Sequence, residues 1–494
     1  MHLGLVLDMT DAGIGERSGV TADDGTLSYR ELAQRSWQAA ALFGNLDVPA
    51  VVYVGGNHLA FPIALFGAAA AGVPFVPLNY RLSRGQLDAQ IDMQPGAYVI
   101  SDADLLVTTA SELRSDPLHF IQSLNSWASA PPGPVDPDLP AILLHTSGTT
   151  SAPKTAVLRH KHLMAYLLGT VEFASASEFE AALVSVPPYH IAGIANLLSN
   201  VYAGRRIVYL DRFDPEVFLQ TIRTNRVTQA MIIPTMLSRL IELLDEGADP
   251  LVPTLQQLSY GGARMPSGVL RRALELFPEV DFVNAYGLTE TSSTITLLDS
   301  EDHRICAASD DPAIAKRLES VGRPVPGIKL EIRDDDGLPV APCQTGNIYV
   351  TGDQIAGEYL GSSALGSDGW FSTRDRGCID CDGYLFIEGR SDDTIIRGGE
   401  NIAPAEIEDV LLAFPNVVDA VAVGLPDDEW GQRLAAVIVE GSGRPVSSDD
   451  VKEWVRRHLR SSKTPETVEI WTDLPRTETG KLLRREVVAT LTNG

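Results

Sequence analysis

Cysteine is scarce in this chain: four among 494 residues, Cys306, Cys343, Cys378 and Cys381. Disulfide-braced secreted proteins use far more, so the count points to a reducing compartment and a cytoplasmic protein. Cys378 and Cys381 form one CxxC with no second pair beside it, and they read as small residues flanking a turn rather than as half of a zinc site. Basic residues are also few, 39 against 65 acidic ones, for a formal charge of −26. Such a chain repels long polyanions, which excludes nucleic acid as a partner. The opening MHLGLVLDMTDAG lacks a basic start and a long apolar region, so no signal peptide is expected. Repeats and low-complexity tracts are absent too. With 44% hydrophobic and 21% charged residues, the composition is that of a folded globular protein.

Long uncharged runs are nearly missing as well. The one exception is Leu59 to Leu78, LAFPIALFGAAAAGVPFVPL, which is about the length of a membrane span. Pro62, Pro74 and Pro77 with Gly67 and Gly72 are expected to break it into a short buried helix and a strand, so no membrane span is predicted.

What is present is a regular alternation. Ser28 with Glu31 three residues later opens an amphipathic helix, and AVVYVGG from Ala50 reads as a buried strand. Helix and buried strand then alternate to about residue 245, which predicts α/β layering with mostly parallel sheet. Pro131 to Pro140 is a surface loop. After about residue 320 short strands with glycine and aspartate turns predict an antiparallel β subdomain. The last hundred residues predict a small α+β domain. The expected division is 1–391, with 320–391 as the antiparallel part, and 392–494. The length itself requires more than one core, because single cores stop growing near roughly 250–300 residues.

The strongest chemical signal is HTSGTTSAPKT, His145 to Thr155, after a predicted buried strand. Successive hydroxyl and glycine residues set N–H and O–H donors around an anion, and Lys154 adds positive charge, so this is a phosphate loop. Its spacing imitates the loop of nucleotide triphosphatases. Pro153 stands where their second glycine should be, however, and proline has no N–H to offer.

The order TSGTT-x-x-PK resembles the phosphate loop of the adenylate-forming superfamily, which includes acyl-CoA synthetases, peptide-synthetase adenylation domains and luciferases. Further motifs are similar and come in the family's order: LFGAAAAGVPFVPLNYRL, PPYHIAG (Pro187 to Gly193), NAYGLTET (Asn284 to Thr291), GWFSTRD (Gly369 to Asp375), GRSDDTIIRGGENIAPAEIE (Gly389 to Glu408) and LPRTETGK (Leu474 to Lys481). The resemblance runs over nearly the whole chain, on the acyl-CoA synthetase and aryl-CoA ligase side. It implies an AMP-forming acid–thiol ligase that uses ATP and Mg²⁺ to make an acyl-adenylate and then a thioester with CoA.

By this resemblance Thr146, Ser147, Gly148, Thr149, Thr150 and Lys154 hold the β- and γ-phosphates, and Thr289 and Glu290 hold the α-phosphate and Mg²⁺. Tyr286 and Gly287 match the adenine-stacking segment, Asp375 the carboxylate that binds the ribose hydroxyls, and Arg390 its partner. Lys481 matches the catalytic lysine and Asp392 the hinge on which the small domain rotates. Rotation would withdraw Lys481 and bring in the loop of Gly398, Gly399 and Glu400. His190 matches a gate beside the acyl pocket, to which Ile191, Ala192, Gly261, Gly262, Ala263 and Ala285 also belong. These residues are small or apolar, which suits an aryl or modest alkyl acid better than an amino acid.

Departures from the family pattern are Arg374, where a glycine is common before the aspartate, and Ser151 and Thr155, at frequent glycine positions of the phosphate loop. Trp430 resembles a tryptophan that stacks the CoA adenine. Lys452, Arg456 and Arg460, four apart, form with Lys463 a basic stripe for CoA phosphates or an acidic acyl carrier protein. Transfer to a carrier protein or another nucleophile is the rival second step. A non-catalytic nucleotide sensor is a third class, opposed by the retention of Lys481, Glu290 and Asp375.

Overall fold

The computed structural model describes all residues except 103–104, 106–112, 132, 147–153, 398–399, 428–429, 442, 444, 478–479, 481 and 494. It divides into two compact units. The first comprises Met1–Leu318, Gly322–Lys329 and Val350–Phe371; the second comprises Glu319–Val321, Leu330–Tyr349 and Ser372–Gly494. Within the antiparallel region, residues 330–349 and 372–391 thus fall with the C-terminal ones, and 322–329 and 350–371 with the first unit.

The first unit is layered α/β, built on two sheets. One runs Arg323–Pro324, Ser293–Leu298, Asp281–Leu288, Gln257–Gly261, Gln229–Ile232, Ala181–Val184, Arg206–Tyr209, Ser18–Ala22, Gly25–Ser28. Its central strands pair in parallel and its edges antiparallel. The other runs Ser362–Ser363, Glu358–Tyr359, Lys154–Arg159, Pro140–Thr146, Phe75–Pro77, Val51–Val54, Tyr98–Ser101, Arg114–Ser115. Its parallel strands give way to antiparallel pairing at the strands that flank the phosphate loop.

Local chemistry sets the helix boundaries. Ser28 and Glu31 form the expected capping box: the Glu31 carboxylate accepts from the Ser28 N–H at 2.8 Å, and helix Tyr29–Leu46 follows. Asp214 accepts from the N–H groups of Glu216 and Val217, just past Pro215, and caps helix Pro215–Asn225. The long uncharged run becomes helix Ala60–Ala71 and strand Phe75–Pro77. The division into helix and strand is as expected, with the break after Ala71, while Pro62 and Gly67 fall within the helix rather than at the break. Pro62 sits in its first turn, where its missing N–H costs nothing, and Gly72, at φ 72°, ends it. Gly67 is interior because a Cβ there would lie 2.6 Å from the Cβ of Ala39, so two helices meet where only hydrogen fits. Every helical residue from Ala60 to Ala70 is buried, which is why the segment is apolar on all sides. Among the described residues no helix is long and apolar enough to cross a membrane.

A four-stranded sheet, formed mostly by residues of the second unit, runs Lys329–Arg333, Gly346–Thr351, Phe371–Ile379, Leu385–Arg390. Cys378 lies in its third strand and Cys381 in the turn that follows, neither in a disulfide. A three-stranded sheet of Val417–Asp427, Gly431–Glu440 and Thr467–Trp471 carries helices on both faces. Alternation does this directly: Ala420, Ala422, Leu434 and Ala436 pack toward helices Pro404–Leu412 and Ser448–His458, while Val421, Val423, Ala435 and Val437 pack with Val487 of helix Arg484–Asn493. Two members of the expected basic stripe, Arg456 and Lys463, are engaged in ion pairs. Arg456 bonds Glu453 at 2.8 Å, and Lys463 bonds Glu406. Trp454 is a packing residue whose indole N–H donates to the Val410 carbonyl at 2.9 Å.

Buried histidines give the fold a pH dependence. His160 opens helix His160–Thr170 and accepts from the Leu3 N–H at 3.3 Å. Burial, with His2 and the terminal amine nearby, pushes its pKa down from 6.5 to about 4. Burial likewise takes His162 to about 4, with Lys161 and Arg159 adding to the effect. Both are neutral in the fold and protonate more readily in the unfolded chain. Their contribution is complete above pH 6.5 and is lost as pH falls through about 4. Each accounts for about 3 kcal/mol across that window at roughly 1.4 kcal/mol per pKa unit. The urea midpoint should fall steeply between pH 6.5 and 4, and His160→Gln should flatten that fall; identical slopes for both proteins would contradict the assignment.

Candidate active site

The segment expected to bind phosphate is flanked in sequence by strands Pro140–Thr146 and Lys154–Arg159, which pair antiparallel with His145 opposite Thr155 and Thr146 opposite Lys154. Both strands are held by side chains as well as by their ladder. The Thr146 hydroxyl donates to the Lys154 carbonyl at 3.1 Å, and Thr155 Oγ1 lies 3.1 Å from His145 Nδ1. Thr155, at a frequent glycine position, is thus a hydroxyl that ties the base of the loop. Ser147, Gly148, Thr149 and Thr150 lie outside the described residues, as do Gly398, Gly399 and Lys481.

Tyr286 and Gly287 end strand Asp281–Leu288, and Thr289 and Glu290 form the short turn Thr289–Thr291 after it. Gly287 has a steric cause: a Cβ there would lie 1.8 Å from the Ser293 carbonyl oxygen, where the strand kinks at a bulge. Thr291 is fully buried and closes the turn. Its hydroxyl accepts from the Leu288 N–H at 2.9 Å and lies 2.7 Å from the Ser293 carbonyl oxygen. These bonds present Glu290 half-buried at the end of the sheet.

Sequence reasoning missed the segment that carries this turn. Ala356 and Gly357 donate their N–H groups to the Glu290 carbonyl at 2.9 and 3.0 Å. Gln354 donates to the carbonyls of Thr291 and Thr294 at 3.0 and 2.8 Å. Tyr359 donates its hydroxyl to Glu290 Oε1 at 2.5 Å, and the Lys154 ammonium lies 5.2 Å from the centre of the same ring. Tyr359 pairs with Ala156 of the phosphate hairpin, and Arg159 holds Glu358 through two bonds of 2.8 and 2.6 Å. Lys154, Thr146, Thr289 and Glu290 thus belong to one stitched assembly. An isolated tyrosine in GEYLGS carries no motif, and its partners lie far away in sequence.

His190 stands at the N-cap of helix Ile191–Ala203, its ring 4.4 Å from that of Tyr189, which meets Tyr80 edge to face at 5.5 Å. Ile191 and Ala192 begin the helix. Gly261 and Ala285 are register partners on adjacent parallel strands, and Gly262 and Ala263 follow at the strand end.

In the second unit Asp375 and Arg390 are register partners on antiparallel strands, and their side chains meet, Nε to Oδ1, at 3.1 Å. Asp375 is only 6% exposed. Its N–H donates to the Thr373 hydroxyl at 3.1 Å, which donates on to the Ile348 carbonyl at 3.0 Å. Arg374, within strand Phe371–Ile379, has φ 62°, a left-handed conformation that favours glycine, so a non-glycine residue bears the strain there. Trp430 is 47% exposed, with the Arg397 guanidinium 5.7 Å from its ring centre. Arg397 is itself held by the Ser462 carbonyl at 2.8 Å and by Glu466 at 2.5 Å.

Comparison with known proteins bears on this arrangement. The family described as AMP-binding enzyme matches residues 12–360, and the AMP-binding enzyme C-terminal domain matches residues 406–481. The chain is 32% identical over 482 residues to a feruloyl-CoA synthase of Amycolatopsis sp, covering 95% of this chain and 94% of that one. It is 31% identical over 494 residues to the fatty acid–[acyl-carrier-protein] ligase ScoC of Streptomyces coeruleorubidus, covering 95% and 92%. Among solved structures it resembles o-succinylbenzoate CoA synthetase from Bacillus subtilis in complex with the acyl-adenylate intermediate, with TM-score 0.85, 26% identity and coverage of 98% and 97%. With matched residues over most of the chain and relatives above 30% identity along nearly its full length, this protein belongs to the AMP-binding enzyme family.

Proposed function

We propose that this protein is an AMP-forming acyl-CoA ligase: it activates a carboxylic acid with ATP, releasing pyrophosphate, and transfers the acyl group from the adenylate to CoA, releasing AMP. One observation carries this reading beyond the family match. Residues 354–360 draw the phosphate-loop cation Lys154 and the carboxylate Glu290 to one tyrosine, which joins a phosphate-binding charge to an oxygen donor suited to a metal.

In the first step a carboxylate oxygen attacks the α-phosphorus, a P–O bond forms to the acid, and the bond to pyrophosphate breaks. Negative charge builds on the phosphates, so fixed cations stabilise the transition state more than the ground state. Lys154, with Thr146 and residues 147–150, serves the β- and γ-phosphates. Lys481 reaches the carboxylate and the α-phosphate. Asp375, oriented by Thr373 and paired with Arg390, accepts the ribose hydroxyls. Tyr286 and Gly287 flank the adenine.

Glu290 and Thr289 fit Mg²⁺. That hard cation takes one or two carboxylates along with substrate phosphates and water rather than a protein cage. Among the described residues no cluster of three or more His, Cys, Asp or Glu forms such a cage. When bound, the ion neutralises phosphate charge.

In the second step the CoA thiolate attacks the acyl carbonyl and AMP leaves. In this reading the small domain of residues 392–494 turns about Asp392, so that Lys481 withdraws and the loop of Gly398, Gly399 and Glu400 comes forward. Trp430 offers a ring face to the CoA adenine, Arg397 lying over its ring. His190, Ile191, Ala192, Gly261, Gly262, Ala263 and Ala285 line the acyl site, for an aryl or short to medium acyl acid. The four cysteines, none of them in a disulfide, suit the reducing cytoplasm. Likeness to a fatty acid–[acyl-carrier-protein] ligase favours one second reading, in which a carrier-protein thiol replaces CoA.

A panel of aryl and alkyl acids read by ATP–pyrophosphate exchange, then by thioester formation with CoA or a pantetheinylated carrier protein, tests this directly. Exchange with at least one acid and a thioester with CoA are expected. Exchange without a CoA thioester would overturn the ligase assignment, and a thioester on the carrier protein alone would establish the second reading. Lys481→Ala is expected to lower adenylate formation by at least about a hundredfold, within the range for removal of one transition-state donor, while thioester formation from supplied acyl-adenylate persists. Equal loss in both steps would remove Lys481 from its assigned role. Trp430→Ala should raise the KM for CoA roughly tenfold, as loss of one stacked base does, with the KM for ATP unchanged; an unaltered CoA dependence would refute the stacking role.

A further inference from the structure

Tyr359 touches the two charged groups that the proposed reaction requires from the first unit. Its hydroxyl lies 2.5 Å from Glu290 Oε1, a charge-assisted hydrogen bond that engages one carboxylate oxygen and leaves Oε2 for another partner. Its ring lies beneath the Lys154 ammonium at 5.2 Å, a distance at which an aromatic face attracts a cation. One rigid side chain thus sets both the rotation of the carboxylate and the position of the lysine. Both of these flexible side chains would otherwise sample several rotamers before binding.

The backbone that presents Tyr359 does not depend on the phenol. Leu360 N–H donates to the Thr155 carbonyl at 2.8 Å, Tyr359 pairs with Ala156, and Arg159 grips Glu358. Ala356 and Gly357 bond the Glu290 carbonyl, so the carboxylate's main chain is fastened separately from its head. Removing the hydroxyl therefore frees the Glu290 carboxylate within an intact frame.

We infer that Tyr359 is a positioning residue that holds the Glu290 carboxylate for the divalent metal of the ATP complex and holds Lys154 for the phosphates. This rests on the reading of Glu290 as the metal-binding carboxylate, and the test separates the two. Mn²⁺ serves as the probe, its binding with ATP read by electron paramagnetic resonance, so that no acid substrate is needed. Tyr359→Phe, which keeps the ring and deletes the donor, should weaken Mn²⁺ binding roughly tenfold, as loss of a hydrogen bond to a charged group does. ATP binding without metal should stay unchanged in that variant. Tyr359→Leu, which also deletes the ring, should in addition weaken metal-free ATP binding about threefold.

In the Glu290→Gln background the Phe substitution should have no further effect on Mn²⁺. Unchanged Mn²⁺ affinity in Tyr359→Phe would overturn the inference, as would an equal loss in the presence and absence of Glu290. If Glu290→Gln itself leaves Mn²⁺ binding intact, the metal reading of Glu290 fails instead. Circular dichroism of Tyr359→Phe should match wild type, because the strand is held by its backbone; a collapsed spectrum would refute the claim that the phenol acts on the carboxylate alone.

Discussion

An acidic chain that is to hold a polyphosphate has to place its cations one by one, since its net field works against the ligand. With 39 basic residues against 65 acidic ones, many arginines find carboxylates of their own: Arg205 bonds Glu180, Arg272 bonds Asp245, Arg476 bonds Asp419 and Arg484 bonds Glu408. A cation paired in this way has little charge left for a ligand. Lys154 lies over an aromatic face instead, which orients an ammonium without neutralising it. The net charge of −26 thus disfavours long polyanions while leaving local positive charge where a small phosphate ligand approaches, within a Debye length of about 8–10 Å.

The same economy governs the backbone. Gly287 is small because the Ser293 carbonyl approaches it, and Thr291 is buried because its hydroxyl closes the turn beneath Glu290. Arg374 keeps a left-handed conformation at φ 62° without being glycine. A non-glycine residue there costs of the order of 1–2 kcal/mol, a strain that the paired strand on either side sustains. The residue it precedes, Asp375, is buried and paired with Arg390, so the left-handed residue adjoins the point where the carboxylate's direction is set.

Much of the first unit was legible because its signals are local. The capping box at Ser28, the proline at the start of helix Pro215–Asn225 and the buried strand of Val51–Val54 each follow from neighbouring residues. The place of Gly67 within the helix rather than at the break was not legible, for the opposite reason: its role is set by Ala39, on another helix. The basic stripe through Lys452, Arg456 and Arg460 reads as a free surface from sequence. Its outcome depends on Glu453 and on Glu406, whose partner is Lys463.

The sequence by itself determined the order of the motifs, the alternation that builds the α/β layers, and the residue types at the phosphate loop, the Glu290 turn and the Asp375 strand, because each depends on spacing along the chain. Only the tertiary structure decided that Tyr359, from a strand with no motif, joins Glu290 to Lys154, and that Gln354 and Glu358 secure the frame around them. Those contacts connect residues 69 and about 200 positions apart. No local propensity encodes such a meeting. It exists because sheet pairing brings Tyr359 beside Ala156 and the turn after Leu288 to the same end of the fold.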